Sequence, residues 1–221
     1  MERFVVLDTE TTGLDADNGD KIIEIGCVEI IDRKITENFY HKYINPEREV
    51  DPGAYKVHGL SNKFLKDKPS FNKIIDSFVS YISNSPLIIH NAPFDMGFLR
   101  KEFLDLNKEV EILSGNRVIH DTLKVARKKF PGKRNSLDAL CDRFDVDKTE
   151  RETHGALLDA KLLANVYLRM TQGQTNINIQ GLSINNSKLN SKNIKIIDNR
   201  SKRVIFADDE EIEAHKNYFN S

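Results

Sequence analysis

Several things are scarce in this sequence, and each scarcity narrows its class. Only two cysteines, Cys27 and Cys141, occur in 221 residues, and neither sits at a metal-ligand spacing. That excludes a disulfide scaffold. Both lie in apolar patterns and read as buried thiols in a reducing compartment. No apolar run approaches the ~20 residues of a membrane span. Met1 leads almost directly into an apolar strand, so no signal peptide is expected, and a soluble cytoplasmic protein is the expectation. Charge of one sign is also lacking: 33 Lys and Arg oppose 34 Asp and Glu, a formal net charge of −1. Such balance excludes a protein that grips nucleic acid by global charge, but not a metal-dependent enzyme acting on a strand end. The length suits one good-sized domain with an extension, or two small domains.

What is present is organised around Phe4-Val5-Val6-Leu7-Asp8-Thr9-Glu10-Thr11-Thr12-Gly13-Leu14. Four apolar residues in succession predict a central, buried strand. Side chains alternate along a strand, so Asp8 and Glu10 share a side. Two like charges at the end of a buried strand are costly unless neutralised. A divalent cation would neutralise them, and hard oxygen ligands suit Mg²⁺ or Mn²⁺. By itself the pattern is equally that of a strand ending in a solvated turn closed by Gly13.

Strands are expected over 3–8, 22–31 and 35–45, the last two joined by the polar turn Asp32-Arg33-Lys34 as an antiparallel hairpin. Ser70 is placed to cap a helix over 71–83. Pro86 to Ile89 reads as a brief strand, and Val118-Ile119 as another. Between them Asn91 and Pro93 signal the start of a helix over 93–106 that carries Asp95 in its first turn, where the helix dipole favours an anion. Helices over 121–129 and 136–144 follow, the second capped by Asn135 or Ser136. The last helix, 155–169, holds Asp159 within its apolar stripe, an uncommon place for a carboxylate without a partner. His154 stands at its entrance, where it and Asp159 can converge. From 171 to 201 the composition turns to Asn, Gln, Ser and Gly, as in a flexible linker. The segment 202–221, with Val204-Ile205-Phe206-Ala207 and an acidic stretch, has too few apolar residues to fold alone and is expected to order on a partner.

Three motifs stand in order: Asp8-x-Glu10-Thr-Thr-Gly-Leu, Asn91-x-x-Phe94-Asp95 and His154-x-x-x-x-Asp159. Together they resemble the DEDDh class of 3′–5′ exonucleases. That likeness implies an α/β, ribonuclease H-like fold, a mixed five-stranded sheet flanked by helices. Lys56-Val57-His58-Gly59-Leu60, Asp67-Lys68-Pro69-Ser70-Phe71 and Asn135-Ser136-Leu137-Asp138-Ala139-Leu140-Cys141 are similar to the proofreading, epsilon-type subunits of bacterial DNA polymerase III. So is Gln174-Thr175-Asn176-Ile177-Asn178-Ile179, which resembles their sliding-clamp-binding motif, with Ile179 where an aromatic is usual. Val204 to Ala207 and Glu211-x-x-Ala214-His215 resemble the segment that binds the polymerase catalytic (alpha) subunit.

The resemblance implies an exonuclease domain over 1–170, a linker over 171–201 with a clamp contact at Gln174, Ile177 and Ile179, and a polymerase-binding tail. It implies that Asp8, Glu10, Asp95 and Asp159 hold two divalent ions and that His154 is the general base. A base with an unperturbed pKa near neutrality suits that task. It implies a DNA 3′ end as substrate, with a small theta-like accessory subunit as a further partner to consider. Thr11, Gly13 and Leu14 either approach the terminal nucleotide or form the strand-end turn. His58 either touches that nucleotide or packs its loop; Asn91 reads as a helix cap first and a substrate neighbour second. His41, His90, His120 and His215 read as structural or surface residues. The basic run Lys124, Arg127, Lys128, Lys129, Lys133 and Arg134 is either a solvated face or a phosphate contact. A free-standing exonuclease trimming RNA, or single-stranded DNA ends, and a non-catalytic scaffold are the rival readings.

Overall fold

The computed structural model describes residues 2–172 apart from 116 and 150–152. The expected clamp motif and polymerase-binding tail, and the linker beyond Gln172, lie outside the described residues. No helix among the described residues is long and apolar enough to cross a membrane.

The first strand, β1 (Arg3–Thr11), is flanked by β2 (Ile22–Ile31) and, on its other side, by β4 (Leu87–Ile89). With β3 (Lys34–Tyr43) and β5 (Ile119–Asp121) they make a five-stranded sheet in the order β3-β2-β1-β4-β5. β2 and β3 run antiparallel to their neighbours, β4 and β5 parallel to β1. This is the mixed sheet expected from the sequence. The turn between β2 and β3 contains just Asp32 and Arg33, with φ of 46° and 64°. Positive φ at both positions twists the turn as a right-twisted hairpin requires.

The sheet's alternation sorts its core into two layers. Val5 and Leu7 face α3 (Phe71–Ile82) and α4 (Ala92–Asp105), where Phe78 and Phe103 are fully buried. Phe4 and Val6, with Val28 and Ile30, face the layer of α6 (Thr122–Lys129), α7 (Leu137–Arg143) and α8 (Ala156–Met170). The short helices α1 (Pro52–His58), α2 (Asn62–Leu65) and α5 (Glu111–Ser114) fill the connections. Cys27 and Cys141 are buried and form no disulfide.

Two local expectations need correction, and a third is decided between its alternatives. Ser70 occupies the N-cap of α3 without accepting a backbone hydrogen bond. Asn91 stands at the N-cap of α4 but makes no capping bond, because its backbone is left-handed at φ 69° and ψ 52°. A capping side chain folds back from the extended region, which this residue does not occupy. At α7, Ser136 is the cap, its Oγ accepting from Ala139 N at 3.3 Å.

Candidate active site

Even-numbered residues of β1 face α8, which puts Asp8 and Glu10 on the side where that helix crosses the sheet. Across the antiparallel register Asp8 pairs with Gly26 and Glu10 with Glu24. A Cβ on Gly26 would lie 2.2 Å from Leu157 N and 2.4 Å from the Ala156 carbonyl oxygen. The missing side chain therefore lets the first turn of α8 rest on the strand beside Asp8. Asp159, in that first turn, has its backbone N–H bonded to the Gly155 carbonyl at 2.9 Å. His154 Nδ1 lies 3.1 Å from Asp159 Oδ2, the imidazole 44% exposed and the carboxylate 5%. Ligand atoms of Glu10, His154 and Asp159 lie within 4.8 Å of one another.

Asp95 reaches the same place from the opposite layer. It is 3% exposed, and the odd-numbered Thr9 donates its hydroxyl to Asp95 Oδ1 at 2.8 Å. Burial pushes the Asp8 carboxyl well above the usual range, and the charges of Asp95, Asp159, Glu10 and Glu24 push it further. Burial likewise raises Asp95 to about 7, against the Thr9 hydrogen bond. Acidic groups from β1, α4 and α8 thus crowd around Asp8. Crowded oxygen donors that resist ionisation fit a divalent cation, whose charge would offset their repulsion. Hard oxygen ligands with one imidazole fit Mg²⁺ or Mn²⁺ better than a soft metal.

The remaining candidates divide. His58 is buried beside the site, its Nδ1 accepting from Leu60 N–H at 3.0 Å. Burial lowers its pKa and nearby His154 adds to this, while Glu24 and a hydrogen bond to the Thr11 carbonyl act the other way. Gly13 belongs to the turn, since a Cβ there would lie 2.3 Å from Asp20 Oδ2. Thr12 Oγ1 donates to Asp20 Oδ1 at 2.9 Å and Thr11 Oγ1 donates to the Gly13 carbonyl, so the turn is self-braced. Leu14, at 85% exposure, projects from it into solvent.

Asp8, His154 and Asp159 line a cavity of about 820 Å³ that also takes in Asn91, Arg127 and Lys133. Asn91 is thus a cavity residue rather than a cap. His90 also lines it, its Nδ1 2.9 Å from Thr122 Oγ1, whereas sequence reasoning left it as structural or surface. Glu24 was missed altogether. It is buried, with Oε1 2.7 Å from His41 Nε2. One carboxylate inside the β-branched run Ile22-Ile23-Glu24-Ile25 was the available signal.

A strand-end carboxylate pair, an Asp held at a helix start and a His–Asp pair at a helix entrance give an acidic cluster with one imidazole, a donor set that could hold a divalent cation. Residues 5–167 match the RNase T exonuclease family, and the chain belongs to that family. It is 48% identical over 222 residues to DNA polymerase III subunit epsilon of Escherichia coli K12, covering 98% of this chain and 91% of that protein. Among solved structures it is similar to Exonuclease X in complex with 5′ overhanging duplex DNA, at 26% identity and a TM-score of 0.59. That match covers 76% of this chain and 90% of the other. The nuclease domain of 3′hExo, a DEDDh family member bound to rAMP, shares the fold at 16% identity and a TM-score of 0.67, over 77% and 92% of the two chains.

Proposed function

We propose that this chain is a 3′–5′ exonuclease that removes mispaired 3′-terminal nucleotides as the proofreading subunit of a bacterial replicative DNA polymerase. The observation that carries this reading is that Asp95, Asp159 and Glu10 all lie close enough to Asp8 to act on its charge, with Glu10 and His154 beside Asp159, in a chain alike over nearly its whole length to an epsilon subunit. Asp8, Glu10, Asp95 and Asp159 would hold two divalent ions, Mg²⁺ or Mn²⁺. Bound ions would supply charge stabilisation for the attacking and leaving oxygens of the phosphodiester. His154 takes the proton from the attacking water. With Nδ1 against Asp159 Oδ2, Nε2 is the ring atom that does so. His58 touches the terminal nucleotide, and Leu14 offers an apolar surface to its base. Mispaired ends enter more readily because an unpaired nucleotide costs less to pull from the stack.

Replacing His154 by alanine is expected to lower kcat by about 10²–10⁴-fold, the usual worth of a positioned base. Activity of the variant within twofold of the unaltered enzyme would reject the role.

The segment around Val204 to Ala207 is proposed to bind the polymerase catalytic subunit, and Gln174, Ile177 and Ile179 the sliding clamp, with a theta-like subunit on the domain. The test is digestion of a 3′-mispaired primer by the full chain and by a chain ending near residue 170, each with and without the polymerase subunit. Mismatch removal by both, with stimulation by the polymerase only for the full chain, is the expected result. Equal attack on paired and mispaired ends would overturn the proofreading reading.

A further inference from the structure

We propose that Arg127 and Lys133 form a second phosphate subsite, one that holds the backbone upstream of the scissile bond in the strand being digested. The proposal rests on the nuclease reading above. The cavity that begins at Asp8 and Asp159 extends to these two cations. At about 820 Å³ it lies towards the upper end of small-molecule pockets and has room for more than a terminal nucleotide. A strand entering it brings further phosphates past a carboxylate-rich wall, where each needs cationic company.

The fold sorts the basic run that the sequence left undivided. Lys129 is used internally, its Nζ donating to the Met170 carbonyl at 2.6 Å. Lys124 faces a different depression, beside Pro93 and Arg100. Of the six basic residues in the run, only Arg127 and Lys133 line the cavity. Neither joins an ion pair among the described residues.

Lys133 sits on a loop that is held in shape. Buried Asn135 donates through Nδ2 to the carbonyls of Lys133 at 3.0 Å and Phe130 at 3.3 Å. Its Oδ1 accepts from Arg143 Nη1 at 3.0 Å, and Arg143 Nη2 donates to the Arg134 carbonyl at 2.7 Å. The same guanidinium lies over the Phe130 ring at 4.5 Å. Gly132, at φ 71°, makes the bend that turns the loop. A solvated lysine needs no such bracing; a lysine that must meet a phosphate at a fixed place gains from it. Arg127 supplies a planar fork for two phosphate oxygens, and Lys133 a point charge.

The test uses the full chain with Mn²⁺ and two substrates: single-stranded oligodeoxynucleotide, and the p-nitrophenyl ester of thymidine 5′-monophosphate, which has no upstream phosphate. With the oligonucleotide, Arg127→Ala and Lys133→Ala are each expected to raise KM about tenfold with little change in kcat. The salt dependence of log kcat/KM should become shallower by about 0.7 for each cation removed. Ester hydrolysis should stay at the unaltered level, and Lys128→Ala should leave both substrates unaffected. An unchanged oligonucleotide KM, or ester hydrolysis falling in step with it, would overturn the subsite. A wild-type chain inert on both substrates would instead overturn the nuclease reading and this subsite with it.

Discussion

Replacing Asp8 by asparagine is expected to do two opposite things. Hydrolysis should fall by about 10³-fold or more, since several kcal/mol of charge stabilisation in the transition state would depend on the ions this residue is proposed to hold. At the same time the metal-free protein should become harder to melt. Asp8 and Asp95 have carboxyls raised above their ordinary values, Asp95 to about 7. A carboxylate with a raised folded-state pKa binds more protons folded than unfolded, so stability falls as pH climbs from about 4 through about 7. The repulsion is then fully felt at pH 8. Thermal melts in chelator should show wild type losing several degrees between pH 5 and 8, and the Asp8→Asn variant losing less. Adding Mn²⁺ at pH 8 should restore wild type far more than the variant. A variant that melts lower than wild type throughout would mean that Asp8 is a structural carboxylate.

The second large effect is expected from Gly26→Ala, a change of one methyl at a residue that carries no functional group. The new Cβ has backbone of Ala156 and Leu157 in its way, at distances below 2.5 Å, and backbone cannot rotate aside as a side chain can. The first turn of α8 must lift, carrying His154 and Asp159 away from Asp8. A misplacement near 1 Å is worth about 10² in rate. The variant should therefore lose about that factor in kcat and need more Mn²⁺ for half-maximal activity. Overpacking should also cost about 1–3 kcal/mol of stability in a urea titration. Val28→Ala is the comparison, two residues along the same face of β2 and packed in the same layer. It should lose stability while keeping its Mn²⁺ requirement. Activity within twofold of wild type for Gly26→Ala would show that α8 does not depend on this contact.

These two residues mark the boundary of what the chain discloses before it folds. Asp8 was legible because a carboxylate ending an apolar run breaks the local pattern, and Asp159 because it interrupts a helix stripe. The strands were legible for the same reason of pattern: apolar runs gave β2 to the residue and β1 at its start, though β1 continues past Asp8 to Thr11. Gly26 gave no such sign. A glycine in a strand says only that something comes close, and what comes close here is more than a hundred residues away in sequence. Glu24 was hidden by its pairing with His41, another contact between strands. Arg127 and Lys133 could not be told from their neighbours, since the difference lies in which way each points once α6 and the following loop are placed. Asn91 misled because its residue type suits a cap, while its left-handed backbone does not.

The far end of α8 is fastened as firmly as its beginning. Arg33, at the tip of the two-residue hairpin, donates to the Leu168 carbonyl at 2.7 Å and to Thr171 Oγ1 at 3.1 Å. Lys129 holds the Met170 carbonyl from the other flank. Fifteen helical residues put these clamps roughly 20 Å from the end that bears Asp159. Whatever tugs on the polypeptide beyond residue 172 loads these clamps first. The arrangement resembles the strain relief on a cable, placed between that stretch of chain and the end that bears His154 and Asp159.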